Sequence, residues 1–309
     1  MIYNNILEAV GHTPMVKLQR MVDGNCADIY VKFEGINVGG SIKTRTAYEM
    51  ILAAEKEGLI REDTIIVEPT SGNQGIGLAL VGAVRGYHTV IIMPDSVSEE
   101  RRKLVRHYGA DVKLIHDAGD IGACIDECLK TALRMQEKDP RVFVPQQFAN
   151  INNVKAHKNH TALEIMEQVA GQIDGFCSGI GTGGTITGIG ESLRAQYPGI
   201  EIWAVEPENA AILAGGTIGT HLQMGIGDGI IPDILNQNIY DNIYVISDSE
   251  ALDTAKRLAR EEGLMCGISS GTNVAAALKL AKKLGPGKTV VTVLPDTAER
   301  YFSTPLFEE

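Results

Sequence analysis

The sequence has few of the residues that typify secreted or metal-binding domains. Its five cysteines include no Cys-x-x-Cys pair, which disfavours both a disulfide framework and a zinc site. Cys124 and Cys128 lie four residues apart in a predicted helix, but no further ligand is near them in sequence. We therefore interpret these two cysteines as small hydrophobic residues that are buried in the core.

Excess positive charge and long apolar runs are also lacking. The chain of 309 residues has 28 Lys and Arg against 39 Asp and Glu, so its net charge is -11. This balance disfavours nucleic acid and anionic membranes as partners. No apolar run approaches the length of a membrane span, and the N-terminus has no secretory signal pattern. We therefore expect a soluble, cytoplasmic protein.

Glycine, by contrast, is abundant, with 34 residues, and 44% of the chain is hydrophobic. From about residue 64, short β-branched runs alternate with longer helical stretches, which is typical of a parallel α/β sheet. Eight strands are predicted, at residues 64–68, 89–93, 111–115, 142–144, 175–178, 201–205, 242–246 and 289–294. Eight helices are predicted, at residues 46–57, 75–85, 99–108, 121–137, 155–169, 185–196, 249–262 and 272–284.

Two irregular stretches interrupt this alternation. Residues 145–153 are predicted to cross between two α/β units near residue 146, and residues 215–231 to form a long Gly-rich loop. The isoleucines of this loop favour an ordered segment that lines a site. If the loop closes over a substrate, desolvation would raise the pKa of Asp228 and make it a candidate base. An exposed turn aspartate is the alternative, and the residues alone leave both open.

Lys43 lies beside a Gly-rich turn at the start of a predicted helix. The free N–H groups and partial positive charge of a helix start disfavour the cationic form of lysine. A neutral lysine attacks aldehydes, so Lys43 is a candidate for a Schiff-base residue. A surface lysine near a turn is the alternative.

Polar groups also crowd two turns that follow predicted strands. Residues 69–75 combine hydroxyl and amide side chains with a helix start, which suits a small carboxylate or phosphate, although a simple helix cap is the alternative. Residues 179–185 resemble a phosphate-binding turn. Their glycines also have the G-x-G-x-x-G spacing of dinucleotide-binding proteins, with Glu206 as a ribose acceptor. A nicotinamide-dependent oxidoreductase is therefore an alternative of a different class.

Taken together, the motifs resemble those of the cysteine synthase (O-acetylserine sulfhydrylase) and cystathionine β-synthase family. The matching segments are residues 11–18, 39–43, 70–73, 146–148, 181–185, 225–227 and 267–271, and the resemblance extends through residue 304. It implies a fold-type II pyridoxal phosphate enzyme, similar to the tryptophan synthase β subunit, with two three-layer α/β/α domains. The smaller, mobile domain would span residues 45–145. The larger, cofactor-anchoring domain would comprise residues 1–44 and 146–309, and the protein would be a homodimer.

The resemblance also implies roles for particular residues. Lys43 would hold pyridoxal 5'-phosphate as a Schiff base and, once displaced by the substrate amine, would take the α-proton. Asn73 would bond the ring hydroxyl of the cofactor, and Ser269 would face its pyridine nitrogen. The phosphate would be held by Gly181, Thr182, Gly183, Gly184 and Thr185. The substrate site would comprise Thr70, Ser71, Gly72, Asn73, Gln74, Gln147, Gly225 and Asp228.

The implied activity is β-elimination and β-replacement through an α-aminoacrylate intermediate in cysteine and sulfur amino-acid metabolism, with small amino acids (O-acetylserine, cysteine or serine) as substrates. Several residues depart from the usual cysteine synthase pattern, namely Val38, Thr44, Gln74 and Asp228. Since these changes cluster around the second-substrate site, an L-cysteine lyase or desulfhydrase is the alternative within the family. It would release hydrogen sulfide and form serine or a thioether amino acid of the lanthionine or cystathionine type, with Asp228 assisting the nucleophile.

Overall fold

Ten strands form two sheets within residues 2–119 and 121–308, the part of the chain that the computed structural model describes. The strands of the larger sheet are β1 (Met15–Lys17), β2 (Asp28–Phe33), β7 (Gly175–Gly179), β8 (Glu201–Pro207), β9 (Asn242–Ile246) and β10 (Thr289–Leu294). Those of the smaller sheet are β3 (Ile65–Pro69), β4 (His88–Pro94), β5 (Asp111–Ile115) and β6 (Val142–Phe143). The strand orders are β1-β2-β10-β7-β8-β9 and β5-β4-β3-β6. All pairings are parallel except that of β1 with β2.

All eight predicted strands are confirmed, but β1 and β2 were not predicted. β1 is only three residues long. β2 carries Lys32, whose side chain is fully buried and whose Nζ donates to the Thr13 carbonyl at 2.6 Å and pairs with Glu164 at 2.7 Å. The strand was not predicted because a lysine interrupts its apolar residues, and a lysine is not expected at a buried position of a strand.

Nine α-helices occur in the described residues. They are α1 (Lys43–Lys56), α2 (Asn73–Arg85), α3 (Glu99–His107), α4 (Ile121–Lys138), α5 (Ile151–Ala156), α6 (Ala162–Gln168), α7 (Gly184–Gln196), α8 (Asp248–Glu262) and α9 (Ile268–Leu284). The single helix predicted at residues 155–169 is instead α5, a π-helical turn (His157–Thr161) and α6. The wide turn holds the buried His157, whose Nδ1 lies 3.1 Å from the Thr161 hydroxyl.

Helices cover both faces of each sheet. In the larger sheet, Cys177 packs against α8 and α9, whereas the preceding Phe176 packs on the opposite side against α6 and α7. In the smaller sheet, Ile66 faces α1 and α2, whereas Val67 faces α4. Alternate residues of a strand point to opposite faces of the sheet. Because both faces are covered by helices, these buried parallel strands are apolar at consecutive positions. The predicted three-layer α/β organisation is thereby confirmed.

The two sheets meet near Gln146, which has a left-handed backbone with φ of 57°. The buried Glu68 at the end of β3 accepts the N–H groups of Gln146 and Gln147, both at 2.8 Å. This is the crossing that the sequence predicts near residue 146, while the domain limits at residues 45 and 145 stay a prediction. Among the helices of the described residues, none combines the length and apolar character needed to cross a membrane.

Candidate active site

One cavity brings the predicted site residues together at the carboxyl ends of the strands. Its lining includes Lys43, Thr70, Ser71, Gly72, Asn73, Gln74, Gln147, Gly181, Thr182, Gly183, Thr185, Gly225, Asp228 and Ser269. Only Gly184 of the predicted set is outside this lining, although Gly183 and Thr185 on either side of it belong to the lining. Ligands of open α/β sheets bind at this edge of the strands, so the cavity is the candidate active site.

Lys43 is the first residue of α1, as expected for a helix start. The backbone N–H of the preceding Ile42 donates a hydrogen bond of 2.8 Å to the carbonyl of Pro295, which directly follows β10. The pKa of Lys43 is lowered chiefly by burial, against the opposing charges of Asp228 and Asp296. Burial is therefore the main cause of the lowered pKa, which makes the neutral amine easier to reach than in an exposed lysine.

The glycine turn, residues 179–185, leads from β7 into α7. A Cβ on Gly181 would lie 2.4 Å from the Gly225 carbonyl oxygen, and one on Gly184 would lie 2.1 Å from Asn153 Oδ1. Gly183 has φ of 78°, which favours glycine. The turn is therefore closed to side chains and presents backbone N–H groups at a helix start, where phosphate binds well.

Polar side chains support this turn from behind. Asn153 Nδ2 donates to the Thr182 hydroxyl at 2.9 Å and to the Gln147 carbonyl at 2.8 Å. The Thr185 hydroxyl lies 3.3 Å from Nε2 of His157. Burial holds the pKa of His157 well below its usual range, so this imidazole is neutral. Asn153 and His157 were missed because only the folded chain brings them to the turn.

The Asn73 turn, residues 70–73, connects β3 to α2. The Thr70 hydroxyl accepts the Gly72 N–H at 3.1 Å, so part of the polar cluster caps the turn itself. Gln147 Nε2 donates to the Pro69 carbonyl at 3.2 Å, which brings this side chain to the turn. At α2, the first N–H groups have no partner within the helix and can bind an anion.

Gln74 lines the cavity, as expected for the substrate site, and its side chain also connects two helices. Its side chain is almost fully buried, and its Oε1 accepts a bond of 2.6 Å from the Thr46 hydroxyl of α1. Its Nε2 is buried without a hydrogen-bond partner among the described residues. The amide thus joins α2 to α1, while a role of Gln74 in substrate binding stays a prediction.

Asp228 faces the cavity from the Gly-rich loop. Burial raises its pKa, although the positive charges of Lys43 and Arg101 oppose this. The loop is held by the Gly227 N–H, which donates to the Ile180 carbonyl at 2.8 Å. On its other side, His221 Nε2 lies 3.1 Å from the Gly227 carbonyl and His221 Nδ1 accepts the Gln223 N–H at 3.1 Å. Of the two alternatives for Asp228, this geometry favours the cavity-facing acid.

Ser269 lies in the first turn of α9 and is buried at the cavity wall. Its helix is anchored by Asn273, whose Oδ1 accepts the Gly179 N–H at 2.7 Å and whose Nδ2 donates to the Val293 carbonyl at 2.8 Å. One amide therefore links α9 to the ends of β7 and β10. An asparagine directly before the apolar run that begins at Val274 was the signal that could have revealed it.

A family model described as pyridoxal-phosphate dependent enzyme matches residues 6–296 of the chain. The chain belongs to this family. It is 48% identical to a cysteine synthase of Staphylococcus aureus over 98% of this chain and 97% of that protein. The crystal structure of an O-ureido-L-serine synthase superposes with a TM-score of 0.95 at 42% identity, over 100% of this chain and 96% of the other. A hydrogen sulfide-producing enzyme from Fusobacterium nucleatum superposes with a TM-score of 0.92 at 40% identity, over 97% of this chain and 100% of the other.

These similarities confirm the predicted family, the pyridoxal phosphate cofactor and β-replacement chemistry. The site fits the cofactor, since it combines a lysine of lowered pKa with a turn that side chains would block. The nicotinamide alternative does not fit. Both oxygens of Glu206 accept backbone N–H groups, from Leu213 and Ala214 at 3.0 Å, so this carboxylate is not free to bind a ribose. No cluster that could hold a metal ion occurs in residues 2–119 and 121–308.

Proposed function

We propose that the protein catalyses β-replacement on a β-substituted L-amino acid, with Lys43 as the cofactor lysine and the base for the α-proton. The observation that carries this proposal is that Lys43, the Asn73 turn, the glycine turn and Ser269 line one cavity. Pyridoxal phosphate, when bound, withdraws electrons from the α-carbon of an amino acid. A lysine whose pKa is lowered by burial is suited to accept a proton there.

The other residues would bind and orient. Within the glycine turn, Gly181 to Thr185 would hold the phosphate through backbone N–H groups and the hydroxyls of Thr182 and Thr185. Ser269 would face the pyridine nitrogen, and Asn73 would bond the ring oxygen. The donor carboxylate would be bound by Thr70, Ser71, Gly72, Gln147 and the N–H groups at the start of α2, which include that of Gln74.

Asp228 would act on the second substrate. It lies near Lys43, and burial raises its pKa, so it can accept a proton from a nucleophile that enters beside the Gly-rich loop. A second cavity shares Ser71, Arg101, Met224 and Asp228 with the first and extends towards His221. This would be the entry side for sulfide, water or an amino-acid thiol.

The Asp228 proposal is tested with Asp228→Asn, which keeps the size of the side chain but cannot take a proton. The leaving group is measured in a single turnover without acceptor, and turnover is then measured with acceptor. We expect the first to stay close to wild type and the second to fall by roughly a hundredfold or more, as for other general bases. Asp233→Asn is the matched control, because Asp233 is an exposed aspartate that follows the same loop. Equal turnover of wild type and Asp228→Asn would remove Asp228 from the mechanism.

The donor defines the activity further. A cysteine synthase-like enzyme would require O-acetylserine and sulfide. A cysteine lyase or desulfhydrase would release sulfide from cysteine alone and form serine or a thioether amino acid, and the proton-accepting position of Asp228 favours this second candidate. Incubation of the holoenzyme with each donor, alone and with each acceptor, followed by sulfide measurement and mass spectrometry of the amino acids, separates the two. Borohydride reduction should attach the cofactor to the peptide that contains Lys43, and attachment elsewhere would overturn the assignment of this lysine.

We also propose, from the family resemblance, that the protein works as a homodimer in the cytoplasm. Its acidic charge and unpaired cysteines are compatible with that compartment. Light scattering of the purified holoenzyme measures the mass, for which a dimer predicts twice the 33.2 kDa of the chain. A single monomeric species at micromolar concentration would contradict this proposal.

A further inference from the structure

A buried chain of hydrogen bonds joins α3 to the Asn73 turn by way of the C-terminal segment. Nη2 of Arg101 donates to the Tyr301 hydroxyl at 3.1 Å, and this hydroxyl donates to Oδ2 of Asp296 at 2.7 Å. Asn73 Nδ2 donates to the same oxygen at 2.6 Å, while Nη1 of Arg101 donates to the Ser71 carbonyl at 3.1 Å. The turn is therefore held at Ser71 and at Asn73 by one connected set of side chains.

The chain is enclosed by protein. Arg101 is 2% exposed, and Tyr301 and Asp296 are 0% exposed. Burial and the neighbouring Asp296 raise the pKa of Tyr301 well above its usual range, so the hydroxyl keeps its proton and remains a donor to the carboxylate. The guanidinium also lies over the Tyr301 ring, 5.2 Å from its centre. Inside a protein such bonds are strong when complete and costly when one partner is removed.

Asp296 is also joined to the segments that carry Lys43 and Ser269. Its backbone forms an antiparallel bridge with Ser41, two residues before Lys43, and its carbonyl accepts the Gly267 N–H at 3.2 Å, just before α9. A Cβ on Gly267 would lie 2.1 Å from Asp296 Oδ1, so this close approach requires glycine. Asp296 thus connects the turn to both of these segments.

The same contacts set the orientation of the Asn73 amide. Its Oδ1 accepts a bond of 2.8 Å from Nε of Arg300, and its Nδ2 donates one hydrogen to Asp296. A flipped amide would place its oxygen against the Asp296 carboxylate and its N–H groups against the guanidinium. The second N–H of this amide has no partner among these contacts, so the orientation presents Asn73 to a ligand in the cavity as a donor.

We propose that Asp296 and Tyr301 are positioning residues for the cofactor and donor site. They orient Asn73 as a hydrogen-bond donor and, through Arg101, hold the carbonyl of Ser71 in place. Neither residue needs to touch the reacting atoms. The expected effect of these two residues on donor binding rests on the proposed function. Their expected effect on cofactor affinity does not depend on which donor the enzyme uses.

Tyr301→Phe removes the hydroxyl that links Arg101 to Asp296 and keeps the ring. We expect the dissociation constant for pyridoxal phosphate and the KM of the donor to rise by about tenfold or more, with a much smaller change in kcat. Tyr244→Phe is the matched control, because Tyr244 also donates to a carboxylate, that of Glu250, but lies outside the cavity lining. Equal cofactor affinity and KM in Tyr301→Phe and wild type would overturn the proposal, even if the melting temperature falls.

An exchange of side chains separates orientation from stability. In the double variant Asn73→Asp with Asp296→Asn, the bond between the two positions can re-form, but residue 73 no longer offers a donor. We expect its melting temperature to return towards wild type from that of Asn73→Asp, while cofactor affinity stays at least about tenfold weaker than wild type. Recovery of cofactor affinity in the double variant would show that donor orientation is unimportant. If the wild type binds the cofactor but turns over none of the donors, the proposed function fails, while these affinities still decide this inference.

Discussion

Glu68 allows one prediction to be worked through in free energy. This fully buried carboxylate accepts two backbone N–H groups, yet burial raises its pKa from 4.5 to about 7. The folded state therefore holds a proton that the unfolded state releases between these pH values. The stabilisation is complete below pH 4.5 and is lost as the pH rises through 7. Because a tenfold difference in proton affinity corresponds to about 1.4 kcal/mol, the loss between pH 5 and 8 is roughly 2 to 3 kcal/mol.

Glu68→Gln cannot ionise, so its free energy of unfolding should lack this contribution. We expect the difference between variant and wild type, from urea unfolding of the holoenzymes at pH 5 and 8, to shift by roughly 2 to 3 kcal/mol in favour of the variant as the pH rises. The KM of the donor should also increase. The glutamine amide has one oxygen and one NH2 group, so it cannot accept the N–H groups of both Gln146 and Gln147 in the way that the two oxygens of Glu68 do. Glu206→Gln is the control for the change in KM. Glu206 also has a raised pKa and also accepts backbone N–H groups, but these belong to Leu213 and Ala214 and not to Gln147. A difference in unfolding free energy that is the same at both pH values would refute the reasoning.

Three further predictions concern other parts of the chain. Gly181→Ala should weaken cofactor binding by about tenfold or more in equilibrium dialysis, because its Cβ would lie 2.4 Å from the Gly225 carbonyl oxygen; unchanged affinity would contradict the tight turn. Arg45→Ala should lower the free energy of unfolding by about 3 to 5 kcal/mol in urea titrations, because it leaves the buried Glu34 without its cation; a loss below about 1 kcal/mol would contradict this. Ellman's reagent should modify Cys26 alone in the native protein and all five cysteines after denaturation, because only Cys26 is partly exposed and the other four are buried. Rapid labelling of a second thiol in the native protein would contradict this burial.

The strands and the site turns could be predicted from sequence because their signals are local. Short apolar runs, most of them rich in β-branched residues, mark β3 to β10, and each site turn combines glycines with polar groups directly after a strand. The position of Lys43 at a helix start is equally local. β2 was missed because its buried Lys32 is neutralised by Glu164, a residue far away in the chain. No short-range pattern reports such a pairing.

The orientation of side chains in the site was harder to predict. Gln74 lines the cavity as expected, but the bond that its oxygen accepts from Thr46 on the adjacent helix was not predicted. The contacts of Asn73 with Asp296 and Arg300 join residues that are more than two hundred positions apart. Packing of helices against a sheet decides these contacts, and one sequence read along its length contains no direct record of them.

The place of β10 in the larger sheet has a consequence for how the protein is made. Residues 289–294 lie between β2 and β7, so the larger sheet cannot be completed until these residues have left the ribosome. All four strands of the smaller sheet lie between residues 65 and 143 and can pair much earlier in synthesis. Until β10 arrives, β2 and β7 have open edges that invite pairing with other nascent chains. A product that terminates before residue 289 would therefore keep these edges open and depend on chaperones or be degraded.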